Sequence, residues 1–144
     1  MVGVALVVAT WAHEPLVRDL VRRCGRFVST YRSIRDLRSY YDRQGVLVAL
    51  LDDVPVGFVV LRHGIRNQWT TIHEVGVVPQ ARRQGIASRI IDAVLAGSPH
   101  SRVRLVCDAR NVDALAFYES RGFRRLGIRV NKAGEPIIDM EVSA

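Results

Sequence analysis

Hydrophobic and polar positions follow two periods along the 144-residue chain. Short β-rich apolar runs predict strands, and apolar residues recurring three or four positions apart predict helices. In chain order the predicted elements are a strand, two helices, three strands, a helix, a strand, a helix and two strands. This order predicts one α/β (α+β) domain over residues 1–144, in which a mixed central sheet of about seven strands is flanked by about four helices.

The bounds of these elements follow from the apolar runs and the turn residues between them. Strands are predicted at residues 4–9, 46–51, 56–61, 69–78, 103–107, 123–130 and 136–142. Helices are predicted after Thr10, before Gly45, from Gly85 to Gly97 and at residues 113–120. The segment 52–55 between two strands is typical of a hairpin.

The apolar run Val2–Ala9 could be taken for a signal peptide because of its position. It lacks a basic n-region and an obvious small-residue cleavage site, so we predict a buried first strand instead. No apolar run approaches the roughly 20 residues of a bilayer span. Cys24 and Cys107 lie far apart, which favours two reduced thiols in a cytoplasmic protein over a disulfide framework or a zinc site.

The chain carries a net charge of +7 and uses arginine for all but one of its basic side chains. A positive field attracts acidic partners. Residues 18–43 contain eight of the arginines: Arg18, Arg22, Arg23, Arg26, Arg32, Arg35, Arg38 and Arg43. This segment fits two solvated amphipathic helices, and it also fits a basic acceptor face for an acidic peptide or nucleic acid. Tyr31, Tyr40 and Tyr41 lie between the arginines and would allow stacking, although Tyr41 better fits the core.

A strand, a short loop and a helix that begins at a glycine occupy residues 75–87. The loop N–H groups and the positive end of the helix dipole form a natural anion site. Gly85 would let a phosphate approach the backbone, and Arg82 and Arg83 would add charge-assisted hydrogen bonds. The same pattern fits a plain turn with a solvated arginine pair, and the loop alone does not decide between the two.

Two segments together resemble the GNAT superfamily of acyltransferases. Arg82, Gly85 and Ala87 match the acyl-CoA motif (Arg/Gln)-x-x-Gly-x-(Gly/Ala), and Val77-Val78-Pro79 resembles the strand end that precedes it. Downstream, residues 111–123 match the pattern Asn-x-x-Ala-x-x-(Phe/Leu)-Tyr-x-x-x-Gly-Phe. By itself this second segment fits a short amphipathic helix with a glycine cap. The two segments in this order, with a strand between them, are specific.

The resemblance implies that acetyl-CoA is the acyl-donor substrate and that no metal takes part. Pyrophosphate would lie on the N–H groups of residues 83–87, and pantetheine would pair with β-strand backbone between two diverging parallel strands. The donor-binding residues implied are Val75, Val77, Arg82, Arg83, Gln84, Gly85, Ile86, Ala87, Asn111 and Phe117.

The resemblance also implies catalytic roles. Tyr118 matches the tyrosine that often protonates the leaving thiolate. Glu74 or His73 would accept the proton of the amine, with Glu74 slightly favoured, and water alone is the remaining option. Adjacent strand residues point to opposite faces, so only one of the two would face the acceptor unless a bulge intervenes. Val106 lies where some relatives carry a glutamate.

Three functional hypotheses remain open from the sequence. The first is an N-acetyltransferase that acts on a primary amine of a small molecule, peptide or protein. The second is an acyltransferase that acts on nucleic acid, either aminoacyl-tRNA or a DNA base. The third is a non-catalytic acyl-CoA-binding or DNA-binding module. In each case we expect a monomer or homodimer without a membrane partner.

Overall fold

The computed structural model of the protein describes residues 3–25, 31 and 34–144. These residues form seven strands and four α-helices in the predicted order, so the predicted fold class is confirmed. The strands are β1 (Val4–Val8), β2 (Val46–Leu51), β3 (Val54–His63), β4 (Trp69–Val77), β5 (Arg102–Asp108), β6 (Arg124–Val130) and β7 (Pro136–Ser143). The helices are α1 (Glu14–Cys24), α2 (Leu37–Asp42), α3 (Ile86–Gly97) and α4 (Val112–Ser120).

All seven strands belong to one sheet with the order β1-β2-β3-β4-β5-β7-β6. Neighbours pair antiparallel except for β4 and β5, which are parallel. The parallel pairing runs from Trp69–Arg102 to Ile72–Leu105 and stops there, although both strands continue. The two central strands therefore diverge towards their carboxyl ends and leave an opening in the middle of the sheet.

Helices cover both faces of the sheet, and we name each face by one helix. Cys24 of α1 lies against Gly76 on the α1 face, whereas Ile90 of α3 lies against Gly57 on the α3 face. Helix α2 also packs on the α1 face, where Tyr40 meets Arg62 of β3. Helix α4 lies beside α3, to which an ion pair between Arg121 and Asp92 joins it.

The first strand forms where it was predicted, but the prediction that it is buried is wrong. β1 pairs only with β2 and is the edge strand of the sheet. Val7 and Val8 keep 42% and 48% of their surface exposed. An edge strand has one neighbour instead of two, which explains why this apolar run is only partly covered. None of the helices in the described part of the chain is long and apolar enough to cross a membrane.

Candidate functional site

The opening between β4 and β5 is a cleft of about 620 Å³. Residues from both faces of the sheet line the cleft, which shows that it passes through the sheet between the diverging strands. His73 and Val106 lie on the α1 side, and Leu105 and Tyr118 lie on the α3 side. A cavity of this size is ample for a small organic ligand.

A β-bulge in β4 brings two of the predicted catalytic residues to the same face of the sheet. Val60 of β3 pairs with Glu74 and Leu61 pairs with Ile72, so His73 is an extra residue in β4. Glu74 therefore shares the α1 face with its partner Val60, and His73 precedes it there. Both side chains line the cleft. The sequence analysis expected only one of the two residues on this face unless a bulge intervened, and the structure contains that bulge.

Tyr40 of α2 holds the His73 ring. The Tyr40 hydroxyl lies 3.2 Å from His73 Nε2, and the two rings meet edge to face at 5.2 Å. Burial of the ring, and secondly the nearby Arg62 guanidinium, lower the pKa of His73 below its usual value. The imidazole is therefore neutral at physiological pH, when it can accept a proton.

Glu74 and Tyr118 approach the cleft from different elements. The Glu74 side chain is largely buried, with 8% of the residue exposed. Tyr118 of α4 is equally buried, and its ring packs against Phe117 and Phe123. Burial raises the pKa of Tyr118, with smaller contributions from Cys107 and Glu74. The phenol thus keeps its proton at physiological pH and can act as a donor.

Both cysteines are free and buried, in agreement with the predicted reduced thiols. Burial is the main cause that raises the pKa of Cys24 and of Cys107 to about 11. Cys107 lines the cleft, but a neutral thiol is a poor nucleophile. The cleft therefore favours chemistry without a covalent cysteine intermediate.

The backbone of β4 presents hydrogen-bonding groups to the cleft. Val78 N–H donates to Val56 O at 2.8 Å, which fixes the alternation of hydrogen bonds between β3 and β4. By that alternation the N–H and C=O groups of Val75 and Val77 point away from β3 and towards the opening. One of them is taken, because Arg82 Nε donates to Val77 O at 3.0 Å.

A second, smaller cavity of about 210 Å³ lies at the amino end of α3. Val77, Arg82, Arg83, Gly85, Ile86, Ala87 and Phe117 are among the residues that line it, and all seven were predicted as donor-binding residues. We call this cavity the loop groove. Gln84 is exposed and is absent from the lining.

The geometry of the loop groove suits an anion. Arg89 N–H makes the first bond of α3, to Gly85 O, so the N–H groups of Ile86, Ala87 and Ser88 have no partner within the helix. Gly85 has a φ of 77°, and apart from its chain neighbours and the adjoining helix backbone no described atom lies within 4 Å of where a Cβ would stand. Arg83 also has a positive φ of 63°, a conformation that non-glycine residues adopt rarely and often at ligand sites.

Arg82 joins the loop groove to the rest of the fold. Its guanidinium donates to Val77 O at 3.0 Å and to Cys24 O at 2.8 Å. These bonds tie the loop to the end of β4 and to the last residue of α1. The side chain thus has a structural role, and its predicted hydrogen bond to a phosphate stays a prediction.

Two predicted donor-binding residues remain, Asn111 at the start of α4 and Phe117 within it. Asn111 caps the helix, with its Oδ1 accepting from Ala114 N–H at 3.3 Å, and it lines the cleft. Phe117 lines the loop groove, and the adjacent Tyr118 lines the cleft. One helix therefore contributes to both cavities.

An ion-pair cluster at the mouth of the cleft was not predicted from the sequence. Arg110 makes a two-bond pair with Asp108 at 2.9 and 2.7 Å and also bonds Glu135 at 2.9 Å. The cluster connects the end of β5 with the turn between β6 and β7. Glu135 follows Arg110 by 25 positions. The two residues meet because β7 returns beside β5, and this pairing is the one signal from which their contact could have been predicted.

The arginine-rich segment of residues 18–43 does not form the stacking surface considered above. Tyr31, Tyr40 and Tyr41 are all buried, so the suggestion that they stack on a ligand is wrong. The hydroxyl groups of Tyr31 and Tyr41 lie 2.8 Å apart, and that of Tyr40 contacts His73 Nε2.

Several arginines of the same segment have local partners. Arg18 pairs with Glu14, and Arg22 and Arg23 pair with Asp19. Arg38 lies over the Trp11 ring. Arg26 and Arg32 lie outside the described residues.

Among the residues that the structure describes, no group of three or more His, Cys, Asp or Glu side chains could hold a metal ion.

Comparison with known proteins identifies similar chains. The model of the Acetyltransferase (GNAT) family matches residues 15–123. A Pseudomonas phage PaMx11 protein named 5-NmdU N-acetyltransferase is 29% identical over 60% of this chain, which spans 62% of that relative's length. An Archaeoglobus fulgidus protein described as an uncharacterized N-acetyltransferase is 30% identical over 69% of this chain and 82% of its own.

A solved structure supports the fold. Arabidopsis thaliana Naa50, in complex with the bisubstrate analogue CoA-Ac-MVNAL, has a TM-score of 0.76 to this protein. The match is 19% identical and covers 98% of this chain and 99% of that chain.

Replacement of Arg82 by Ala should lower the free energy of unfolding by about 1–3 kcal/mol, since two charged hydrogen bonds to backbone carbonyls are lost. Arg83→Ala is the matched control, and we expect it to change stability by less than about 0.5 kcal/mol. Urea unfolding of both variants measures the difference. Equal stabilities would show that the Arg82 tie contributes nothing.

Proposed function

The chain belongs to the Acetyltransferase (GNAT) family, and from this premise we propose that it transfers an acetyl group from acetyl-CoA to a primary amine. The amine would belong to a small molecule, a peptide or a protein. The observation that supports this most strongly is that the two cavities are neighbours, lined by nearby residues at the end of β4 and by adjacent residues of α4. An anion site at the start of α3 and a cleft with an acid and two bases both open at the carboxyl ends of β4 and β5, where open α/β sheets bind ligands.

In this proposal the loop groove binds the pyrophosphate of acetyl-CoA. The N–H groups of Ile86, Ala87 and Ser88 and the helix dipole would stabilise its charge. The pantetheine arm would extend into the cleft and form strand-like hydrogen bonds with Val75 and with Val77 N–H. The carbonyl of Val77 would remain bonded to Arg82, which limits how the arm can pair.

The acetyl transfer we propose is direct. The nitrogen of a neutral amine attacks the thioester carbonyl, the tetrahedral intermediate collapses, and the C–S bond breaks to give an amide and CoA thiolate. Tyr118 gives its phenolic proton to the sulfur, and a base takes one proton from the nitrogen. Since the buried thiol of Cys107 is neutral, no acetyl-enzyme intermediate is required.

Glu74 is the residue that we propose as the base, acting directly or through one water. Its carboxylate lies close enough to Tyr118 and Cys107 to affect both of their pKa values. His73 is the alternative, with Nε2 already in contact with the Tyr40 hydroxyl. We expect His73 to orient the acceptor at the α1 side of the cleft.

A nucleobase amine in nucleic acid is the second candidate acceptor. The positive net charge favours it, and the name of the phage relative, a 5-NmdU N-acetyltransferase, is compatible with it. A non-catalytic acyl-CoA-binding module is the third possibility, and it predicts that no acceptor releases CoA. A cytoplasmic monomer or homodimer remains our expectation.

Replacement of Gly85 by Glu should abolish acetyl-CoA binding, because it places a charged side chain where the phosphate must approach. Isothermal titration calorimetry measures the affinity. Gly97→Glu, at the exposed far end of the same helix, is the matched control and should bind acetyl-CoA like the unmodified protein. Normal affinity in a folded Gly85→Glu variant would refute the assignment of the loop groove.

Replacement of Tyr118 by Phe should lower kcat about a hundredfold and leave the acetyl-CoA affinity within about twofold, because only the proton donor is removed. Thiol detection of released CoA gives kcat. Tyr41→Phe, which also removes one buried hydroxyl, should retain full turnover. If Tyr118→Phe weakens binding as much as turnover, the residue serves packing and not proton transfer.

The base is identified by replacing each of the two candidates with glutamine, which does not titrate. Glu74→Gln should lower kcat about a hundredfold, while His73→Gln should lower it less than tenfold and mainly raise KM for the amine. Both constants come from the same CoA-release assay. The reverse order would assign the base to His73, and small effects in both variants would leave water as the proton acceptor.

A further inference from the structure

The α1 face of the sheet is open beyond β4 in the described part of the chain. Val106 in the middle of β5 keeps 46% of its surface exposed. The side chains of Arg124 on β6 and Arg129 near its end keep 74% and 56%. Sheet faces usually bury one side against another layer, so an open face beside a ligand cleft is available for a partner.

Five arginines lie on the α1 side of the sheet with four carboxylates, of which Glu74 and Asp108 line the cleft and Asp139 and Glu141 lie outside it. The strand register assigns Arg62, Arg102, Arg104, Arg124 and Arg129 to the α1 side, together with Glu141, Asp139 and Trp69. We call this set the arginine face. Because guanidinium groups are permanently charged and bind phosphate through two parallel hydrogen bonds, the face suits a polyanion.

Three of these arginines form a row across the sheet. The pairing runs from Arg62 to Thr71, Arg104, Glu141 and Arg124, one residue on each of five neighbouring strands. Strands are about 4.8 Å apart, so the row spans about 19 Å. A row of this length fits an extended chain of charges better than one small anion.

Trp69 gives the arginine face an aromatic centre. The Arg104 guanidinium lies 3.9 Å from the centre of the Trp69 ring, and that of Arg102 lies at 5.7 Å. Stacking on an aromatic ring restricts the arginines without neutralising them. Arginine and aromatic side chains together are the usual surface for single-stranded nucleic acids.

The existing ion pairs orient the arginines but leave an excess of positive charge. Glu141 accepts from Arg104 at 2.6 Å and from Arg124 at 3.4 Å, and Asp139 pairs with Arg129 at 2.8 Å. The pair of Arg129 with Asp139 is largely exposed, and exposed pairs stabilise a protein by about 0–1 kcal/mol. Glu141 is buried, so a phosphate would bind the outer guanidinium atoms of Arg104 and Arg124 without displacing it.

The arginine face leads directly into the cleft. On β4, Thr71 and His73 follow Trp69 on the same side, and on β5 Val106 follows Arg104. Thr71, His73 and Val106 all line the cleft. A strand bound on the arginines would thus have one nucleotide within reach of the proposed catalytic residues.

We propose that the arginine face binds a nucleic acid strand and presents an amine-bearing base to the cleft. This inference rests on the proposed acetyl transfer and selects the second of the candidate acceptors, a nucleobase amine in nucleic acid, over the amine of a small molecule, peptide or protein. Enzymes that modify a base take it out of the stack into a pocket. In this proposal the arginine face binds the backbone phosphates and the adjacent cleft receives the extruded base. The amine is aliphatic, because ring-conjugated amino groups of ordinary bases are poor nucleophiles.

Binding is tested with Arg102→Gln/Arg124→Gln, a double variant that leaves Arg104 paired with the buried Glu141. The control is Arg18→Gln/Arg22→Gln on α1, which has the same change in charge. The probe is a fluorescein-labelled single DNA strand, followed by anisotropy at several salt concentrations. We expect the sheet variant to raise Kd about tenfold and to reduce the slope of log Kd against log salt by about 1.4, while the control matches the unmodified protein.

Three outcomes would overturn the proposal: no binding of the strand by the unmodified protein, loss of binding in the α1 variant alone, or equal affinity for poly-glutamate. The last result would identify an acidic peptide as the partner.

Catalysis is tested with a strand that carries one aminoalkyl pyrimidine and with the corresponding free nucleoside. The sheet variant should lower the ratio of kcat/KM for the strand to that for the nucleoside about tenfold. An unchanged ratio refutes the arginine face as the acceptor site. Calorimetry with acetyl-CoA distinguishes failure of this inference from failure of the proposed function. A protein that does not bind acetyl-CoA would refute the proposed function. A protein that binds acetyl-CoA but does not acetylate the strand would refute only this inference.

Discussion

The end of pairing between β4 and β5 after Ile72 and Leu105 is the constraint on which the rest of the site depends. Up to that point the sheet is continuous and its core is closed. Beyond it, the backbone of β4 has β3 on one side only, and a ligand can supply the missing neighbour. The paired strands on either side therefore hold the gap at the centre of the sheet open. The cleft is preorganised and does not have to form when a ligand binds.

Two local departures from regular structure adapt this opening to chemistry. The bulge at His73 reverses the alternation of β4, so that the side chains of His73 and Glu74 share one face. The positive φ values of Arg83 and Gly85 turn the chain so that N–H groups converge at the start of α3. Helix α4 then links the two regions, because adjacent residues of one turn reach the loop groove and the cleft. The bulge and the loop are each local features of the backbone, and both adjoin the opening between β4 and β5.

Much of the fold and part of the site could be predicted from the sequence. The order of all eleven elements follows from periodicity, and Gly85 and Asn111 have the structural positions expected of them. The bulge could not be predicted, since it is a property of the pairing between β3 and β4. The burial of Tyr31 and the cluster of Arg110 with Glu135 depend equally on contacts between residues distant in sequence. The exposure of β1 reflects its place at the edge of the sheet, which composition does not encode.

The two hydrogen bonds of Arg82 have a mechanical consequence. They fasten the loop that precedes α3 to the carboxyl end of α1, although these two helices cover opposite faces of the sheet. One side chain therefore braces both layers at the point where β4 ends. A substitution at this position would loosen the wall of the loop groove and the last turn of α1 together.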